Sequence, residues 1–122
     1  MTWLYVGCGG MAGTLARFLI SRWLGKRIGA TWPLGTLVVN LSGAFLLGLL
    51  LARPAGRLPA GVTLALGTGF IGAYTTFSTF TYETITMISA GEGHRALAYS
   101  LGSVAAGLFL AWLGWLVAGR LW

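Results

Sequence analysis

Between Gly69 and Glu83 the chain reads GFIGAYTTFSTFTYE, and these residue types suit holding an anion rather than making or breaking bonds. Phe77 and Phe80 stand three apart and share a helical face, while Thr75, Thr76, Ser78 and Thr79 crowd hydroxyls around them. A phenyl ring has a positive edge, so a ring presented edge-on attracts an anion. Hydroxyl donors from Thr76, Ser78 and Thr79 replace part of a hydration shell. That pairing suits a small, hard anion, although two aromatics at helical spacing are more often plain packing. Glu83 follows about one turn after Phe80 and Thr79, placed either to partner a base at a pore mouth or to reach headgroup water.

Other polar residues interrupt apolar surroundings. Asn40, within GTLVVNLSGAFLLG, can donate two hydrogen bonds to an anion or join two helices. Ser42 can bond back to its own helix. Arg17, within GGMAGTLARF, is the deepest base. A charge at membrane depth is functional or paired by default, and snorkelling to the interface is the alternative. Tyr99 and Ser103, at i and i+4, extend a polar track, and Tyr99 equally suits an aromatic belt. His94 receives no role. With one His, one Cys (Cys8) and no Asp, the chain offers no metal-ligand cluster, phosphate loop or nucleophile–base set, which argues against an enzyme.

The elements that position these groups follow from composition. Of 122 residues 57% are hydrophobic and 8% charged, where a soluble domain carries about a quarter charged. Mean hydropathy is +0.81. An integral membrane protein is the class that fits. The pI near 10.5 invites a nucleic-acid reading. However, Arg22, Lys26, Arg27, Arg53, Arg57, Arg95 and Arg120 sit near the ends of apolar segments, where they anchor helices to headgroups and form no basic stripe.

Four spans are expected: Thr2–Leu24, Pro33–Ala52, Pro59–Ala90 and Arg95–Arg120, in a single domain covering 1–122. The connections are Arg22–Thr31, Arg53–Leu58 and Gly91–His94. The third span, at about 45 Å, is too long for one straight crossing. Gly67, Gly69 and Gly72 are its natural break points, with a Gly-rich kink as the alternative. Gly9 and Gly13 form a GxxxG, and Thr36, Asn40, Ala44 and Gly48 form a second small-residue stripe. Both predict close packing, within the chain or between chains. Arg53, Arg57 and Arg120 on one side face Arg22, Lys26, Arg27 and Arg95 on the other. So even a balance permits insertion either way up and hence an antiparallel pair.

At GGMAGTLARF, GTLVVNLSGAFLLG and GFIGAYTTFSTFTYE the sequence resembles the Fluc (CrcB) fluoride-channel family, in order and at matching spacing over the first three helices. The resemblance implies an all-α membrane protein with a broken third helix, built as a dual-topology antiparallel homodimer in the bacterial inner membrane. It implies two pores for passive fluoride efflux and a central structural sodium ion held by the Gly72 and Thr75 carbonyls. By the same resemblance Phe77, Phe80 and Asn40 line the fluoride path, with Thr76, Ser78, Thr79, Tyr99 and Ser103 along it. Arg17 matches the family's first-helix arginine and Glu83 the acid after the motif. The chain departs from the family at Gly72-Ala73-Tyr74, where a second glycine is usual, and at Gly107, where the helix-four track lacks a hydroxyl. Two rivals are a proton-coupled exporter of the small multidrug-resistance type, disfavoured because helix one has no acid, and a non-conducting accessory subunit, which leaves the polar break without a purpose.

Overall fold

The computed structural model describes residues 1–28 and 32–121. Among the described residues, four helical stretches are long and apolar enough to cross a membrane: Thr2–Ile28, Leu34–Ala52, Ala60–Ser89 and Gly93–Leu121. The shortest, 19 residues, rises about 28 Å, close to the thickness of a hydrocarbon core.

Helix α1 (Thr2–Ile28) passes the expected end at Leu24 by a turn. Lys26 and Arg27 propagate a helix well and complement the negative end of its dipole, so nothing stops it there. The remainder of the expected connection, Gly29–Thr31, lies outside the described residues. Helix α2 (Leu34–Ala52) begins just after Pro33, which caps it from outside rather than from its first turn. It ends at extended Arg53 (ψ 146°), because the following Pro54 disfavours helical geometry in the residue before it. The Arg53 guanidinium folds back, donating to the Leu50 carbonyl at 2.9 Å and to the Thr63 hydroxyl.

The third stretch is composite. After Pro59 come α3 (Ala60–Leu64), a π-helical segment (Ala65–Ile71), α4 (Gly72–Tyr74) and α5 (Phe77–Ser89). The expected break points do not break the chain: Gly67 and Gly69 lie inside the π segment, and Gly72 is helical (φ −61°, ψ −35°). The extended residues come later, at Thr75 (φ −76°, ψ 157°) and Thr76 (φ −142°, ψ 123°). Gly69 serves close approach instead. A Cβ on Gly69 would lie 2.7 Å from the Val6 carbonyl oxygen, and Cβ atoms on Gly9 and Gly13 would collide with the carbonyls of Ala65 and Phe70. The GxxxG of α1 is thus a seam within the chain, seated on the widened π turns.

Helix α5 closes with a Schellman arrangement: Gly91 (φ 78°) donates to Ile88 and Glu92 to Met87. Helix α6 (Gly93–Leu121) starts two residues before the expected Arg95. It packs along α2, with Gly48 against the Ala111 carbonyl and Gly114 against the Phe45 carbonyl. Val39 is the largest side chain fully buried, while Trp3, Leu108 and Phe77 stand 71%, 69% and 79% exposed. A surface this apolar is at home in lipid or against another apolar surface.

Candidate functional site

The site is built where α2 meets the extended pair Thr75–Thr76. The Thr75 N–H still reaches the Ile71 carbonyl at 3.0 Å, but the Thr76 N–H has left the helical ladder, and at membrane depth each such polar group must find another partner. Asn40 supplies two. Its Nδ2 donates to the Thr76 carbonyl at 2.9 Å and its Oδ1 accepts the Thr76 N–H at 2.8 Å. Of the two roles open to Asn40 in sequence, joining helices is the one its contacts describe. Thr76, 8% exposed, then caps α5: its Oγ1 accepts the Thr79 N–H at 3.2 Å and bonds the Thr79 hydroxyl at 3.0 Å. The cap sets the orientation of α5 and of the aromatics on its first turns.

Thr75 lies against α2 and α1. Its hydroxyl donates to the Ile71 carbonyl at 2.9 Å, and its methyl occupies the space that a Cβ on Gly43 would take. Thr75 and Thr79 therefore do not form the i, i+4 pair a continuous helix would give, since the extended backbone turns them to different surroundings. Arg17 Nη1 donates to the Thr75 carbonyl at 3.3 Å. With α1 running on to Ile28, Arg17 sits about three turns from that end, and its contact is with the site rather than with the interface.

Among the described residues, Glu83 meets no base. It accepts from the Thr36 hydroxyl at 2.7 Å and from the Tyr99 hydroxyl at 2.8 Å, joining α2, α5 and α6. Thr36 and Tyr99 are 5% and 3% exposed. The Phe80 ring lies on Tyr99 at 5.1 Å between centroids, and Phe77 lies 6.1 Å from Phe80. Ser78 and Thr79 are exposed on the same turns. Ser103 Oγ, one turn beyond Tyr99, is shut off from solvent and has no hydrogen-bond partner among the described residues. Arg17, Thr36, Thr76, Thr79 and Glu83 border a cavity of about 890 Å³, which Arg22, Arg95 and Glu92 also line. There Arg95 pairs with Glu92 at 2.6 Å and lies over the Trp32 ring at 5.1 Å.

Three contributors escaped the sequence reading. Thr36 figured only in a small-residue stripe, Gly43 not at all, and Ser42 only as bonding its own helix. Ser42 does bond Val38 at 2.6 Å, and it also meets the Tyr74 hydroxyl at 2.8 Å. Only the i, i+4 register of Thr36 with Asn40 hinted at a shared face.

Four spanning helices around a cleft of hydroxyls, one amide, one carboxylate and paired phenyl rings define a multi-pass membrane protein with a polar site at the extended Thr75–Thr76 pair. The chain belongs to the CrcB family: the family model described as CrcB-like protein, Camphor Resistance (CrcB), matches residues 4–115. A protein of Moorella thermoacetica named fluoride-specific ion channel FluC 2 is 82% identical over 99% of both chains. Proteins named fluoride-specific ion channel FluC from Acidobacterium capsulatum and FluC 1 from Geobacillus kaustophilus are 42% identical over 99% of this chain and 98% of the relative, and 43% identical over 92% and 93%. The family is one of ion channels, not of enzymes.

Proposed function

We propose that this chain is a fluoride channel that lets fluoride leave the cytoplasm down its gradient and so keeps internal fluoride low. The observation that carries the reading is the 82% identity, over nearly the whole of both chains, with a protein named for fluoride conduction. The site's chemistry supports it. A small, strongly hydrated anion needs donors that replace its water while binding weakly enough to release it. Ser78 and Thr79 hydroxyls, the second Nδ2 hydrogen of Asn40 and the edges of Phe77 and Phe80 are of that kind, with Tyr99 and Ser103 continuing the path. Arg17 adds positive potential along the cavity, and Glu83 fixes Thr36 and Tyr99.

The same reading makes the working unit an antiparallel homodimer in the bacterial inner membrane, with two pores. Phe77, Ser78 and Thr79 are exposed side by side, and hydroxyls facing lipid are unfavourable, so a second copy is the cover that suits them. A structural sodium ion between the two copies belongs to this reading and, when bound, would tie their carbonyls together. The Gly72 carbonyl suits it, because the Thr76 N–H that a continuing helix would send there goes to Asn40. The Thr75 carbonyl is shared with Arg17.

The test is purified protein in liposomes, with fluoride and chloride efflux followed side by side. Fast fluoride loss without chloride loss, abolished by Asn40→Ala or Phe80→Ala, is the expected result. No fluoride flux from the unaltered protein sinks the reading.

A further inference from the structure

Three consecutive residues bracket the point where the chain leaves the helix, and α2 receives each one: Asn40 takes Thr76, Gly43 makes room for Thr75, and Ser42 meets Tyr74, the last helical residue. Tyr74 is the last residue of α4 and is 5% exposed. Its ring stacks on Phe70 at 5.6 Å and 13°, which aims the phenol across the interface toward α2. Ser42 already donates its proton to the Val38 carbonyl at 2.6 Å, so the Tyr74 hydroxyl is the donor in the 2.8 Å bond between them. A Cβ on Gly43 would stand 3.4 Å from the Tyr74 ring, so ring and backbone are close-fitted on one seam.

We infer that Tyr74 is a positioning residue: its hydroxyl, anchored on Ser42, fixes the point at which Thr75 and Thr76 turn out of the helix and thereby the setting of the anion path that α5 lines. The inference about the path rests on the reading given under Proposed function. The inference about the backbone does not.

The bond is unequal in a useful way. Removing the phenol leaves Ser42 still bonded to Val38, so Tyr74→Phe orphans nothing. Removing the serine hydroxyl leaves a buried phenol without an acceptor, which is the costlier loss. The pair is therefore tested with Y74F, S42A and the double variant in detergent or nanodiscs. Hydrogen exchange is read over the Thr75–Thr79 backbone, and fluoride and chloride efflux in liposomes.

In Y74F we expect the same elution volume as the parent, exchange at Thr76 faster by about fivefold, and a lower fluoride-to-chloride flux ratio. Fivefold is the factor that one hydrogen bond of about 1 kcal/mol sustains. S42A should do at least as much damage, and in the Y74F background it should add nothing. A purely structural bond would lower the unfolding temperature without moving the flux ratio, and that result overturns the inference. So does unchanged exchange at Thr76 in Y74F, or an S42A effect that appears in full on top of Y74F. If the parent protein passes no fluoride, the functional reading fails, and the exchange comparison alone then decides the role of Tyr74.

Discussion

Asn40 grips Thr76 at both ends of its amide, donating to the carbonyl at 2.9 Å and accepting from the N–H at 2.8 Å, as a neighbouring strand would. The side chain stands in for a stretch of backbone. An extended residue inside an otherwise helical span needs such a partner, because lipid offers none.

Asn40→Ala removes both partners at once. Each buried group left unpaired costs about 1–3 kcal/mol, so the variant should unfold at a clearly lower temperature and lose at least about tenfold in fluoride efflux. Tryptophan fluorescence on heating and liposome efflux check the two halves. An Asn40→Ala protein with the parent's melting point and flux shows that the grip is incidental.

Glu83 accepts two hydroxyls, one from α2 and one from α6. Glu83→Gln keeps an oxygen for one of them and an amide for the other, since a hydroxyl can also accept. Glu83→Ala strands both. The alanine variant should therefore be less stable than the glutamine variant by about 1–3 kcal/mol, measured by urea or thermal unfolding of the two proteins side by side. Equal stabilities place the carboxylate outside the packing between α2, α5 and α6.

The seam between α1 and the π segment makes a prediction about glycine. A Cβ on Gly13 meets the Phe70 carbonyl, whereas one on Gly7, in the same helix, meets nothing within 4 Å. Gly13→Ala must push backbone against backbone, an overpacking that typically costs about 1–3 kcal/mol. Gly7→Ala should be neutral or mildly stabilising, because alanine favours the helix by up to about 1 kcal/mol. Size-exclusion profiles and melting temperatures of the pair decide it, and a Gly13→Ala protein as sound as Gly7→Ala removes the seam from the account.

Much of this was legible in sequence because the membrane imposes coarse rules. Apolar length gave four spans, and Pro33, Pro59 and Gly91 marked boundaries that stand within a residue or so. The unusual mixture of Phe77, Phe80 and hydroxyls pointed to the stretch that holds the extended pair Thr75–Thr76. What composition did not disclose was which glycine does what. Gly67, Gly69 and Gly72 read as break points, yet all three stay helical, Gly69 with the α1 backbone pressed against it, and the chain turns out at two threonines. A residue's freedom to bend is local and visible, whereas the neighbour that uses the space is not. The partners of Glu83 were hidden for the same reason: Thr36 and Tyr99 come from helices far apart in sequence, and no spacing joins them.

Arg17 and the proposed sodium ion would have opposing claims on one oxygen. The guanidinium donates to the Thr75 carbonyl at 3.3 Å, a long bond for a charged donor, and the proposed cation would use the same carbonyl. Two positive charges within a few ångströms repel by several kcal/mol, even at an effective dielectric constant of about 20. Arg17→Met keeps the length of the side chain and removes its charge. The sodium concentration that half-restores fluoride efflux after dialysis into a large organic cation should then fall, by roughly tenfold if about 1.4 kcal/mol of that repulsion is relieved. The maximal efflux should fall too, because the cavity loses positive potential that draws anions in. The two quantities moving together distinguish this from simple damage, which lowers the flux and leaves or raises the sodium requirement. A higher requirement in Arg17→Met shows that the arginine supports the cation site rather than competing with it, and a parent protein indifferent to sodium removes the Gly72 and Thr75 carbonyls from that role.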